Sequence, residues 1–228
     1  MSTIPVAGWT HHQAITPDGK YVLSTHGMRG YISVVDVEEN VVVKNIKTGK
    51  TPNYAVVSKD GKYAYISNTG SNSISEVDLK TLKVSRNLES GPAPAHLVFS
   101  SDEKQVYVAN PRAGKVTIVS VSTGKVTGEF SVGKKVHGLD MGDDQKTLFV
   151  STIKGNKLVA INTEDGSRKE LDLRPAPYHL NTITGTGKVY VSSKKKPLIW
   201  VVDQNTMKLV NTIKLPSGEG HQMVVVNE

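Results

Sequence analysis

Pro94-Ala95-His96-Leu97-Val98-Phe99-Ser100-Ser101-Asp102-Glu103-Lys104-Gln105-Val106-Tyr107-Val108-Ala109-Asn110 recurs, degraded but recognisable, from one end of the chain to the other. Aligning its histidine picks out His12, Tyr54, His96, His137, His179 and His221, at steps of 42, 42, 41, 42 and 42 residues. A register kept that closely over five steps marks an array of one supersecondary unit.

Each unit reads as four short strands. Strand a follows the aligned position (Gln13 to Thr16, Ala55 to Ser58, Leu97 to Ser100, Gly138 to Met141, Leu180 to Thr184) and runs into a turn rich in Asp, Gly and Ser. Strand b is nearly continuous in apolar character (Tyr21 to Thr25, Tyr63 to Ser67, Val106 to Ala109, Leu148 to Ser151, Val189 to Ser192), as a strand covered on both faces should be. Strand c alternates and ends on a polar turn-former (Ile32 to Asp36, Ile74 to Asp78, Val116 to Ser120, Leu158 to Asn162, Leu198 to Asp203). Strand d is polar and variable (Val41 to Ile46, Val84 to Leu88, Val126 to Val132, Lys169 to Leu173, Leu209 to Leu215). Turns such as Thr123-Gly124 and Asp165-Gly166 favour hairpins, and no helical pattern competes. Four antiparallel strands per 42 residues, falling in hydrophobicity from first to last, predict an all-β chain of β-propeller blades.

The endings at Tyr63 to Asn68 and Val106 to Asn110, with Asp-Gly-Lys-Tyr at Asp18 to Tyr21 and Asp60 to Tyr63, resemble YVTN-type propeller repeats over nearly the whole chain. That superfamily resembles in turn the propeller of cytochrome-type nitrite reductases, which carries a d-type haem. More loosely, it resembles the copper-cluster propeller of nitrous oxide reductase. The resemblance implies a WD40-like ring outside the cytoplasm and an oxidoreductase-like metal or haem protein. It fixes fold more than function.

Counting gives five full blades, starting near 12, 54, 96, 137 and 179, in one domain over residues 1–228. A partial sixth is expected from residue 221, met by an N-terminal strand over 3–8. Three readings stay open: a truncated larger propeller, a five-bladed ring with a thin closure, and a sixth blade completed by another chain.

Cysteine is absent, which excludes disulfides and thiolate ligands and makes histidine the only soft ligand. No run of about 18 apolar residues is present to span a membrane. The N-terminal residues lack the pattern of a signal peptide, so the chain is either cytoplasmic or a mature periplasmic or extracellular form. A net charge of +7 and a pI near 9.4 favour anionic partners.

In a propeller the d-to-a and b-to-c loops share one face. That face receives Arg29, Lys50, Arg112, Lys134, Lys135, Lys154, Arg174 and Lys194-Lys195-Lys196, while the acids of the a-to-b and c-to-d turns fall opposite. A basic face of this kind suits a small anion, with Arg29, Arg112, Lys154, Arg174 and Lys195 as binding candidates, or a protein partner. The acids have a local explanation as turn residues.

All seven histidines map to the basic side: His11, His12, His26, His96, His137, His179 and His221. They form either a ring of ligands around the channel or a set of structural wedges between blades. Imidazole suits Cu, Zn, Fe and Ni and serves as an axial haem ligand. His11-His12 looks like the paired histidine opening the first blade of nitrous oxide reductase. The chain departs from that family in lacking its cysteine-bearing copper domain and in carrying Tyr54 in one slot. The basic residues fit a carboxylate-rich tetrapyrrole, although no Cys-x-x-Cys-His is present. Nucleophile elbows, Walker loops and His-Glu-x-x-His are absent, so no catalytic residue is identified. Tyr21, Tyr63, Tyr107 and Tyr190 occupy repeat-core positions and read as packing rather than as a stacking platform for nucleic acid.

Overall fold

In a computed structural model, residues 3–6, 8–218, 220, 221 and 223 are described. Twenty strands form five four-stranded sheets. The first contains β1 (Gln13–Ile15), β2 (Tyr21–His26), β3 (Tyr31–Asp36) and β4 (Val41–Lys47). The second contains β5 (Pro52–Val57), β6 (Tyr63–Asn68), β7 (Ser73–Asp78) and β8 (Lys83–Glu89). The third contains β9 (Leu97–Phe99), β10 (Gln105–Asn110), β11 (Lys115–Ser120) and β12 (Val126–Ser131). The fourth is built from β13 (Val136–Met141), β14 (Thr147–Thr152), β15 (Lys157–Asn162) and β16 (Arg168–Asp172). The fifth is built from β17 (Pro177–Ile183), β18 (Lys188–Ser193), β19 (Leu198–Asp203) and β20 (Leu209–Lys214). Each sheet keeps its strands in sequence order, the blade pattern the repeat predicts. No helix occurs among the described residues, and none is therefore long and apolar enough to cross a membrane.

Burial follows the expected gradient. All but the first residue of β6 and of β14 is buried, whereas β20 is exposed along its whole length. A strand with neighbours on both faces is built mainly from apolar residues, the buried polar ones at the ends of β6 and β14 being hydrogen-bonded, while the outermost strand keeps one face in water. Contacts divide the chain into two compact units, Met1–Leu97 with Ile118–Gly128, and Val98–Thr117 with Glu129–Glu228. The first unit has a core of Leu23, Ile32, Val34, Ile46, Ala64, Ile66 and Val77. The second buries Phe149, Leu158, Leu173, Val189, Val191, Trp200 and Val202.

The acidic turn residues are held by their own hairpins. Asp60 accepts from Ser58 Oγ (2.7 Å) and the Lys62 amide (3.0 Å), and Ser58 Oγ accepts from the Tyr63 amide (3.1 Å). Asp18 and Asp102 repeat the arrangement with Thr16 and Ser100. Donation by these neighbours draws Asp60 and Asp102 down to about 2. The carboxylates satisfy turn amides, as the local reading requires.

Blades are joined by a buried hydroxyl near the end of strand b. Ser67 Oγ accepts from the Tyr54 amide (3.0 Å) in its own blade and donates to Ala95 O (2.6 Å). Thr25 does the same between the His12 amide (3.0 Å) and Asn53 O (3.0 Å). Ser151 links the Gly138 amide (2.9 Å) to Tyr178 O.

Two departures from the sequence pattern matter. Strand a begins earlier than expected in the second, fourth and fifth blades and carries a β-bulge, between Pro52 and Ala55, Val136 and Leu139, and Pro177 and Leu180. The extra residue breaks simple alternation and re-aims the side chains at the aligned position. At the N-terminus, residues 3–6 and 8 carry no strand structure; the Gly8 amide turns back on Val6 O (2.9 Å) at φ +118°. The strand expected over 3–8 is not formed there, and the partial blade expected from 221 lies largely outside the described residues.

Candidate functional site

In the first unit the histidines meet main chain and rings. His12, buried just ahead of β1, accepts the Ala55 amide on Nδ1 (3.3 Å) and stacks on Tyr54 at 3.6 Å between centroids. His96, also buried, stacks on the same tyrosine at 4.2 Å. Tyr54, the exception in the aligned column, thus keeps an aromatic ring between two imidazoles. His11 is exposed, with Nδ1 3.0 Å from Asn53 O, and therefore donates there. Burial, helped by the neighbouring His11, lowers the His12 pKa to about 4. A ring that accepts an amide proton on Nδ1 is the neutral tautomer, with its single proton on Nε2.

His26 is fully buried at the end of β2. Its Nε2 lies 2.8 Å from Ser33 Oγ, which donates in turn to Asn45 Oδ1 at 2.7 Å. The hydroxyl's proton is committed, so Nε2–H is the donor to Ser33. Burial lowers this pKa too, against a raising contact from the Trp9 main chain.

The second unit is arranged differently. His137 and His179 both sit in the β-bulges of their strands. His137 stacks on Tyr178 (4.2 Å, 12°) and meets His179 edge-on (4.9 Å, 89°). Their Nε2 atoms are 3.4 Å apart, with His179 buried and His137 half-buried. The His221 ring, exposed, lies 4.7 Å from that of His179, and the Lys194 ammonium stands 4.1 Å over Tyr178.

The 3.4 Å separation is long for a hydrogen bond, whose N···O norm is about 2.7–3.2 Å. It matches the span of two nitrogens on one tetrahedral ion: at about 2.0–2.1 Å from the metal they stand about 3.3 Å apart. His137 and His179, both in the second unit, each offer one ring nitrogen for such chemistry. Tyr178 was not singled out by the sequence pattern, although the Tyr178-His179 doublet echoes His11-His12.

The expected basic residues are divided between the two units. Arg29 is exposed in the first unit. In the second, Arg174 lies 3.9 Å from Asp172, and Lys195 is exposed with its amide on Ser193 Oγ (3.3 Å). Arg112 and Lys154 do come together, lining a cleft of about 800 Å³ with Lys134, Lys135 and Arg168.

Comparison with known proteins bears on the architecture. No curated protein matches the chain. Residues 54–147 match the family model described as a YNCE-like beta-propeller. Among solved structures, the hydrazine synthase of Kuenenia stuttgartiensis superposes with a TM-score of 0.80 over 86% of this chain at 21% identity. The fold is a β-propeller. The match is consistent with the YVTN-type repeat read from the sequence. The chain spans 65% of the length of that hydrazine synthase chain, and at 21% identity the likeness concerns fold alone.

Proposed function

We propose that this protein is a ligand-binding propeller that holds a transition-metal ion on Nε2 of His137 and His179, with His221 beside them and the remaining positions open to a small anion or water. The observation that carries this reading is the 3.4 Å approach of two imidazole nitrogens in adjacent β-bulges. A neutral imidazole pair suits copper or zinc. A metallo-tetrapyrrole held by the same histidines is the neighbouring possibility, and its signature is a Soret band. The proposal includes an extracytoplasmic setting, which fractionation of the source cells tests.

Untagged protein titrated with Cu(II) or Zn(II) should take up one ion per chain. His137→Ala and His179→Ala should each weaken binding about tenfold or more, while His26→Asn leaves it unchanged. Background metal uptake, or equal uptake by the His137 and His179 variants, overturns the proposal.

The first unit favours a second reading for its own histidines, that of structural wedges in a scaffold for a protein partner. His11 and His12 spend Nδ1 on the main chain of Asn53 and Ala55, and His26 spends Nε2 on Ser33. Substitution there should change stability and not metal content.

A further inference from the structure

We propose that the cleft in the second unit is a binding site for a small oligoanion, a molecule bearing two or more phosphate or carboxylate groups. It is separate from the histidine pair and does not depend on it. Its walls are residues 111–114 and 131–135, with Lys154 and Arg168, and it encloses about 800 Å³. That volume is in the range of small-molecule sites, roughly 300–1,000 Å³. Five cationic side chains line it, and no carboxylate does.

Pairing sets these cations apart from others in the same unit. Lys115, Lys146, Lys157 and Lys188 are each matched by Glu129, Glu164, Glu170 and Asp203. Among the described residues, Arg112, Lys134, Lys135 and Lys154 make no ion pair, so their charge is uncompensated where they converge. A cluster of like charges at one cleft is unfavourable in the empty protein and becomes favourable once an anion enters.

The cleft is also fastened in shape. Gly114 O accepts the amides of Val132 and Gly133 (2.9 and 3.0 Å), Lys135 O accepts that of Ile153 (3.0 Å), and Lys134 O that of Gly155 (3.2 Å). Arg168 Nη1 donates to Ser131 O at 2.7 Å. The segments carrying the charges are therefore tied together before any ligand arrives, which limits the ordering cost of binding. Gly114 is needed for this: at φ +68° a Cβ would stand 2.5 Å from Gly133 O. Guanidinium forks from Arg112 and Arg168 match planar carboxylate or phosphate oxygens, and the three ammonium groups add point charges around them. A single monovalent anion would leave most of that charge unanswered, which is why the ligand needs at least two anionic groups.

Calorimetric titration with inorganic tripolyphosphate, and separately with citrate, tests the site. At low salt one equivalent of either the phosphate or the carboxylate probe should bind, and the preferred probe identifies the source. The double variant Arg112→Ala/Lys134→Ala should lose about tenfold or more in affinity, while Lys62→Ala binds as the parent does. Both altered residues are exposed, so an unchanged melting temperature confirms that folding is intact. Absence of saturable binding by both probes, unchanged affinity in the double variant, or binding only by long polyanions such as heparin would each overturn the proposal.

Discussion

His12 keeps its ring neutral in the folded protein down to about pH 4, because burial and the nearby His11 oppose protonation. The unfolded chain takes up that proton near 6.5. Between the two values the unfolded state holds more protons, so stability is fully present above pH 6.5 and falls as the pH drops towards 4. The loss from this one group is about 3 kcal/mol. Urea midpoints measured at pH 7 and pH 4.5 should show it. In His12→Asn, whose Oδ1 can still accept the Ala55 amide, the drop should be clearly smaller, though not abolished, since burial depresses His26 in the same direction. An equal drop in both proteins would mean that His12 is not the titrating group. Arg86 shows a different use of charge. Burial alone would raise Glu76, but the guanidinium, Ser85 and Tyr65 all donate to it and hold it ionised below its usual range. Arg86 also reaches Val121 O and Ser122 O, so one half-buried ion pair ties β8 to the turn after β11.

At the scale of the strand, the hydroxyl near the end of strand b is the piece whose removal should be felt most clearly. Ser67 is fully buried, and truncation strands both the Tyr54 amide and the Ala95 carbonyl. Ser67→Ala should cost about 1–3 kcal/mol in chemical denaturation. Ser67→Thr should recover most of that, because Thr25 performs the same bonding one blade earlier. If the threonine variant is as damaged as the alanine one, the bridge is not what stabilises the joint. These hydroxyls were visible in the sequence as Thr25, Ser67 and Ser151 in one repeat column, with Ala109 the odd member, but the column does not reveal the acceptor. The bulges were not legible at all. Tyr54, His137 and His179 align by sequence, but strand pairing puts Gly138 where Tyr54 and His179 stand, each the second residue of its bulge, and makes His137 the first residue of its own. A bulge depends on pairing with the neighbouring strand, which a single strand's residues do not encode.

For the molecule as a whole, periodicity carried the architecture. The 42-residue spacing, strand-b hydrophobicity and Asx turns located all twenty strands to within a few residues, because repeated local signals leave few alternatives. Charge was legible only in sum. Of the five cations expected to share a site, Arg112 and Lys154 line one cleft, while Arg174 leans towards Asp172 and Arg29 lies in the other unit. Loop residues can be assigned to a face from topology, but the reach of a long side chain and its local partner decide where the charge ends up. The histidines divide in the same way, some bonded to main chain and one pair facing each other across 3.4 Å. That pair is the central claim. Nitrogen-detected NMR of the histidine rings during Zn(II) titration tests it most directly: Nε2 of His137 and His179 should shift together and saturate at one equivalent, with His26 and His11 unmoved. Saturation at His11 in place of the pair, or no shift in any ring, would contradict it.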